Sequence, residues 1–425
     1  MKMNFKIIIK AAVIGALLLL MLIPLAFVKG TVSERLDYKK QAEEKITKSW
    51  GQEVLAAAPV LNVPYKKLVK EDKKDVYKSA WYKYTPAVLD ANIEILPQVR
   101  YIGIFKVPVF TAKVKMKGHF ASPARADMAS PSAFVSLEFG TLKGIASTPV
   151  LTWNGKKTDF ENALEGEVLS AGQYEDALRM LAAPAPSKNE RMDFEISFDI
   201  RGSNSLSFAP LAKDNKFTVS SSWPSPNFLG GFLPDERKVD AGGFTAVWNV
   251  NSLSSGIPAY VNGYNGALPL ITVSLMFPVD NYRNCERAVK YGILFIALTF
   301  LACFVFEVAG KMPVHPFQYI LVGLAMAVFY LLLIALSEFI GFAWAYITAA
   351  AATVGLISAY ARYGVIKRSG RKVWYAAAGL GALYIYLYVL LQLEDLSLIF
   401  GTLGLFAGIA AVMYATRNIN WYEER

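Results

Sequence analysis

Two histidines and two cysteines, His119, His315, Cys285 and Cys303, are the whole stock of imidazole and thiol chemistry in this chain of 425 residues. A serine or cysteine nucleophile needs a base within hydrogen-bond reach and a third group to orient that base. The sequence contains no Gly-x-Ser-x-Gly turn, the local signature of one such arrangement. His119 reads as a turn residue of a β-domain and His315 as part of a cytoplasmic loop, so a membrane separates them and only Cys285 could approach His119. If the stretch from Cys285 is helical, Cys303 lies about 27 Å away at ~1.5 Å per residue, too far for a disulfide. Cys-x-x-Cys, His-x-His and His-Glu-x-x-His spacings are absent, as are the glycine patterns that cradle nucleotides. These residues call for no cofactor and no metal and point to no catalytic residue.

What remains is a set of ionisable groups beside apolar runs, which are expensive in lipid and therefore functional suspects. Glu307 sits near the inner end of one apolar run, four residues before Lys311, so a local ion pair is its bland account. Glu338, Glu394 and Asp395 fall at turns between later runs. They are either solvated at the membrane surface or form an acidic rim that meets Arg283, Arg287 and Lys290, docking a soluble domain on the helices. Glu138 and Asp240 are the carboxylates that an enzyme acting on lipid or cell wall would need.

The elements that hold these groups divide sharply. Hydrophobic residues make up 54% of the chain, above the usual globular share, and the excess is concentrated at Ile7–Val28 and beyond Val289. The first run is about 22 residues long, enough to cross hydrocarbon and longer than a signal core. Lys2, Lys6 and Lys10 stand before it or in its first turn, and Leu25-Ala26-Phe27 is no cleavage site, so it reads as an uncleaved anchor. Five more spans follow at Val289–Ala309, Tyr319–Ser337, Phe339–Ala361, Trp374–Leu393 and Leu396–Thr416. Arg362, Lys367, Arg368, Arg371 and Lys372 share one loop without an acid, which marks it as cytoplasmic. The expected organisation is an anchor at 1–28, an extracytoplasmic β-rich domain at 29–288, a bundle of five membrane helices at 289–416 and a cytoplasmic tail at 417–425. Both termini are inside and residues 31–288 outside. The formal net charge of +10 belongs to these topology signals, and no nucleic-acid partner is implied.

Between anchor and bundle, Val32, Leu36, Ile46 and Trp50 share a helical stripe that ends at Gly51, predicting an amphipathic stalk. Period-two alternation then predicts strands: Ala112, Val114 and Met116 against Lys113, Lys115 and Lys117, then Phe194, Ile196, Phe198 and Ile200, then Phe244, Ala246, Trp248 and Val250. Trp153-Asn154-Gly155 reads as a hairpin turn. The fold class is an antiparallel, sandwich-like all-β domain. A helical insertion is expected over Asn162–Leu181, with a loop at Ala182–Ser187. The Pro- and Gly-rich run Trp223–Pro234 reads as no strand but a long loop, its Trp223, Phe228 and Phe232 serving either as a binding surface or as a lid on the sandwich.

Several separated blocks resemble the CreD family of bacterial inner-membrane proteins over nearly the whole chain. They include Ser33-Glu34-Arg35, Pro59–Tyr65, Gly103–Phe110, Arg201-Gly202-Ser203, Ser221–Pro224 with Phe232-Leu233-Pro234, Pro278–Tyr282, Arg287–Tyr291, Phe304–Glu307, Val314–Tyr319, Glu394-Asp395 and Thr416-Arg417. Ala58 stands where that family usually has Gly, and Phe339 where a His is common, which argues against a proton relay on that histidine. The resemblance implies a cell-envelope protein tied to envelope stress, with no agreed activity and no catalytic residues to carry over. With no chemistry in the residues, it favours a non-enzymatic envelope-integrity protein whose partners are the lipid bilayer and an envelope protein or cell-wall or lipid component. A transporter or channel is the alternative, and a membrane-tethered enzyme the third reading.

Overall fold

The computed structural model describes residues 2–3, 5–71, 74–121, 130–162, 179–186, 191–261, 268–277, 281–310, 314–365, 370–393, 396–417 and 422–423. It divides into two compact units, Gln41–Pro278 on one hand and Met1–Lys40 with Val279–Arg425 on the other.

The chain begins with α1, Phe5–Leu20, and continues after Met21 as α2, Leu22–Trp50. The seam has a local cause, since Pro24 offers Leu20 no N–H and its ring crowds that carbonyl. The apolar first run and the charged stripe of the expected stalk are thus parts of one almost continuous helix. It stops where anticipated, at Gly51, whose Cβ, if it had one, would lie 2.5 Å from the carbonyl oxygen of Arg201.

The unit Gln41–Pro278 is a sandwich of two sheets. One runs in the order Glu236–Asp240, Gly243–Asn251, Asp214–Ser221, Val88–Ile102, Phe105–Phe120, Met192–Ser203, Val150–Trp153, Lys156–Asp159. The other runs Glu161–Asn162, Arg179–Pro184, Phe134–Phe139, Val54–Ala57, Ser205–Ala209, Ile271–Leu275, Pro226–Gly230, with the ribbon Val60–Glu71 and Lys74–Tyr84 joined at Phe134–Phe139. Alternation does what period two requires. Ala112, Val114 and Met116 are buried, and the intervening lysines face water. On that wet face Lys113 lies between Glu94 and Asp199, and Lys117 between Asp90 and Glu195, so opposite charges meet across strands. The buried faces meet ring to ring, Phe139 on Phe198 at 5.5 Å and Phe208 on Phe217 at 5.7 Å.

Several local expectations are corrected. The sandwich is not wholly antiparallel, because Ser205–Ala209 runs parallel to Val54–Ala57 and Asp214–Ser221 parallel to Val88–Ile102. The chain between each pair is long enough for a crossover. His119 lies in a strand, opposite Val88 and Asp193, and not on a turn. Ala182–Pro184 extends a strand where a loop was expected. Of the helical insertion, 163–178 lie outside the described residues, and Asn162 and Leu181 at its margins pair with each other as strands. The hairpin at Asn154-Gly155 is as read, with φ +44 and +84 between Trp153 and its partner Lys156. Asn204, at φ +61, is the corner where the chain leaves one sheet for the other. A single turn, α3, Ser252–Ser255, is capped by Asn251 and Gly256.

The helical unit adds α4, Asn281–Gly310; α5, Pro316–Ile340; α6, Phe342–Tyr360; α7, Gly370–Gln392; and α8, Ser397–Thr416. Among the described residues five helices are long and apolar enough to cross a membrane, and the apolar stretch of α8 is shorter, Ile399–Ala410. The break between α5 and α6 falls at Gly341, φ +77, three residues beyond the Ser337-Glu338 turn expected from polarity. The positive φ is what glycine supplies without strain, whereas Ser337 and Glu338 stay in the helix. Phe339, Trp344, Tyr363 and Trp374 are exposed near helix ends, as aromatic residues at a bilayer interface are.

Candidate functional site

The N-terminal helix carries one buried stripe, Met21, Leu25, Val28 and Val32, with the three- and four-residue spacing of a single helix face. It is received by glycines. A Cβ on Gly292 of α4 would meet Leu25 at 3.0 Å, and one on Gly323 of α5 would meet Met21 at 2.6 Å, the close approach that small residues permit in membrane bundles. Continued in both directions, the same stripe reaches Lys10 and Arg35, about 37 Å apart at ~1.5 Å per residue, against a hydrocarbon core of about 30 Å.

Each of these cations meets a buried glutamate. Glu307, whose side chain is 6% exposed, pairs with Lys10 of α1. It also accepts the Val314 backbone N–H at 2.8 Å on the same oxygen and the Tyr319 hydroxyl of α5 at 3.1 Å on the other. The cation that satisfies Glu307 is therefore Lys10, remote in sequence; Lys311 lies outside the described residues. His315 is not a loop residue but the N-cap of α5. Its Nδ1 accepts from Phe317 N–H at 3.2 Å, while Gln318 Oε1 accepts from His315 N–H at 3.0 Å, a reciprocal cap with Pro316 at the first helical position. This cap sets the corner that aims Val314 and Tyr319 at the carboxylate.

At the other end Glu338, its side chain 7% exposed, pairs with Arg35 of α2 at 3.6 Å and accepts the Tyr282 hydroxyl of α4 at 3.2 Å. Asn281 Nδ2 donates to Ser337 O at 2.8 Å, and Cys285 Sγ lies 3.7 Å from Ser337 Oγ. Interfacial solvation of Glu338 is thus corrected, since it is enclosed by α2, α4 and α5. Arg283, Arg287 and Lys290 all lie in the first turns of α4, inside the helical unit. Arg287 donates to the Leu393 carbonyl beyond α7 at 3.2 Å, Lys290 pairs with Glu286 at 3.1 Å, and Arg283 is exposed. Glu394 and Asp395 lie outside the described residues.

In the sandwich, the aromatic loop reads differently from its sequence. Pro226–Gly230 is an edge strand on Ile271–Leu275, a position that tolerates proline because one side needs no donor. Phe228 packs edge-on against Phe244 and Trp248, Trp223 donates to Met276 O at 3.0 Å, and Phe232 O accepts from Trp248 Nε1 at 3.2 Å. Glu138 is buried, whereas Asp240 lies on an exposed edge strand and caps its own turn at Gly242 N–H, 2.8 Å. Among the described residues no cluster of three or more metal-ligating side chains occurs.

The profile of the family described as "Inner membrane protein CreD" matches residues 6–422. The chain belongs to the CreD family. Inner membrane protein CreD of Escherichia coli K12 is 30% identical over 96% of this chain and 92% of its own. Among solved structures, a Legionella pneumophila protein described as a candidate nutrient-binding protein shares 8% identity at a TM-score of 0.30, covering 58% of this chain and 79% of its own. A Deinococcus radiodurans M1 zinc metallopeptidase shares 10% at 0.22, covering 80% and 95%. Scores this low carry no argument. A multi-pass inner-membrane protein follows from the family and the apolar helices together.

The CreD-like blocks now have physical contents. Phe304–Glu307 and Val314–Tyr319 enclose the Glu307 latch, and Ser33–Arg35 supplies the cation of the Glu338 latch. In Arg201-Gly202-Ser203, a Cβ on Gly202 would strike Phe110 at 2.5 Å, and the buried Ser203 hydroxyl donates to Gly51 O at 2.9 Å. Arg201 and Arg100 both stack on Trp50, at 5.0 and 4.4 Å from the ring centre, where cation–π attraction holds the end of α2. Lys10, Arg35, Tyr282 and Tyr319 were missed from sequence. Their one legible signal is that Lys10 and Arg35 extend the apolar stripe of the first helix.

Proposed function

We propose that this chain is a non-enzymatic envelope-integrity protein, with both termini cytoplasmic and residues 31–288 extracytoplasmic, whose β unit binds envelope material or a protein partner. The observation that carries the reading is the closure of the charged groups in the helical unit. Glu307 and Glu338 are each held by donors of the chain itself, which supports reading these two carboxylates as static fasteners and not as stations for a moving substrate. The basic loop Arg362–Val373 supports the orientation. A short antiparallel pairing of Lys2–Met3 with Tyr422–Glu423 supports an even number of crossings.

A photo-crosslinking residue at Leu233, 72% exposed on the β unit, is expected to capture an envelope component in intact cells, while vesicles holding the purified chain show no solute flux. Flux across those vesicles without capture would favour the transporter reading. Reporter fusions near Arg201 and Arg368 are expected to report outside and inside respectively; the reverse would overturn the orientation.

A further inference from the structure

In the β unit, the strands Val88–Ile102 and Phe105–Phe120 form a hairpin longer than the sheet that holds it. Pairing with Asp214–Ser221 reaches only Ile95, and pairing with Met192–Ser203 reaches only Val109. Beyond those residues the hairpin is a two-stranded ribbon that overhangs the sheet by roughly 13 to 23 Å at ~3.3 Å per residue. A bare ribbon of this kind is marginal in water, and α2 covers one face of it. Ile46 packs with Val107 and Val109, and Trp50 Nε1 donates to Phe110 O at 3.3 Å. The ribbon closes in a two-residue turn, Gly103-Ile104, between the partners Ile102 and Phe105. Gly103 supplies the positive φ of +58 that such a turn demands, and a Cβ there would meet nothing within 4 Å. Beside it Tyr101 is 61% and Ile104 37% exposed.

The tip lies at the end of the β unit where the chain enters and leaves. Followed back from Trp50 past Ile46, α2 runs toward Gln41 in the direction in which the strand runs back from Phe110 past Val107 to the turn. The second connection departs from the same end. Asn204 N–H donates to Pro108 O at 3.4 Å, and Asn204 O accepts from Leu275 N–H at 2.8 Å. Two residues later Phe277 meets Trp223 edge-on at 5.4 Å, and α4 begins at Asn281. Both connections lead on to helices long and apolar enough to cross a membrane.

The two ends of this hairpin differ in chemistry. At the far end Val88 and His119 lie among Asp90, Lys117, Arg191, Asp193 and Glu195. Toward the turn, Leu96–Thr111 contains no acidic residue, and the exposed Lys106 stands opposite Tyr101. An exposed tyrosine and isoleucine beside a lysine suit the boundary between headgroups and hydrocarbon, where a ring keeps its hydroxyl wet and a lysine stem reaches back to the phosphates.

We infer that the Tyr101–Lys106 tip seats in the surface of the phospholipid bilayer that the chain's own helices cross, with Tyr101 and Ile104 among the headgroups and upper acyl carbons and Lys106 at the phosphates. Such a seat gives the β unit a third attachment to the membrane besides its two chain connections.

The test uses the full chain in phospholipid nanodiscs. In a background of Cys285→Ser and Cys303→Ala, a nitroxide is attached at Ile104→Cys, Tyr101→Cys or Leu253→Cys. Leu253 is an exposed residue of α3 at the far end, since the adjoining Asn251 is joined through Asp214 to Val88. Collisions of the label are measured with oxygen, which concentrates in hydrocarbon, and with a nickel chelate, which stays in water. The oxygen-to-nickel ratio at residues 101 and 104 is expected to be several times that at residue 253. Should Ile104→Cys fail to fold, Tyr101→Cys reads the same surface. A ratio equal to that at residue 253 overturns the seat, and so does a label shielded from both reagents, which would mean that protein covers the tip. Contact with a leaflet depends neither on which side the β unit lies nor on what Leu233 captures, so failure here and failure of the envelope role are separable.

Discussion

The two glutamate latches share a plan and differ in enclosure. Both fasten the N-terminal helix to α4 and α5, and both carboxylates are almost fully buried. Glu307 has three donors on two oxygens, one of them a lysine whose side chain is 31% exposed, whereas Glu338 has a hydroxyl and a longer ion pair to an arginine 43% exposed. Removing a partner from a desolvated pair leaves a charge that water cannot reach, while an exposed cation is already half-solvated. The Glu307 latch should therefore dominate the attachment of the helix, and the Glu338 latch should set its register.

The largest effect is expected for Lys10→Met, about 3–5 kcal/mol of stability, because Glu307 is left buried without its cation. Unfolding of the purified chain in mixed micelles checks it; a cost below that of Arg35→Met would break the comparison. Adding Glu307→Leu to Lys10→Met should recover most of the loss, since a hydrophobic replacement of a buried pair is often near neutral. Arg35→Met also leaves a buried carboxylate but removes a longer pair to a more exposed cation, so it is expected to cost less than Lys10→Met, and its effect should shrink with added salt more than that of Lys10→Met. His315→Ala should cost about 1 kcal/mol through loss of the α5 cap. A larger loss that disappears in a Glu307→Leu background would show that the cap works chiefly by aiming Val314 at the carboxylate.

The smallest expected effect lies outside both latches. Burial, then neighbouring Tyr65, Tyr82 and Tyr84, push the Tyr260 hydroxyl up to about 12. A phenol raised in the folded state contributes stability below its unfolded value near 10 and loses that contribution as pH rises toward 12. Ultraviolet titration should show the late phase and Tyr260→Phe should remove it. Neither latch variant should move it, so a shift in Lys10→Met would show that the damage spreads beyond the helices.

The apolar helices, alternating strands, Asn154-Gly155 turn and helix stop at Gly51 were legible because each is written in neighbouring residues. An apolar run must leave water wherever it sits, and period two has one mean orientation in a sheet. Pro226–Gly230 was misread for the same reason. Proline argues against a strand locally, and only its place at the sheet edge removes the objection.

By itself, then, the sequence determined which segments are long apolar helices and which faces of the strands are dry. Tertiary structure alone decided that Lys10 meets Glu307 across 297 positions of sequence and Arg35 meets Glu338, and which strands run parallel. Periodicity reports how each residue partitions between water and apolar surroundings, a local property. Which cation reaches which buried carboxylate depends on how the helices pack, and no nearby residue records it.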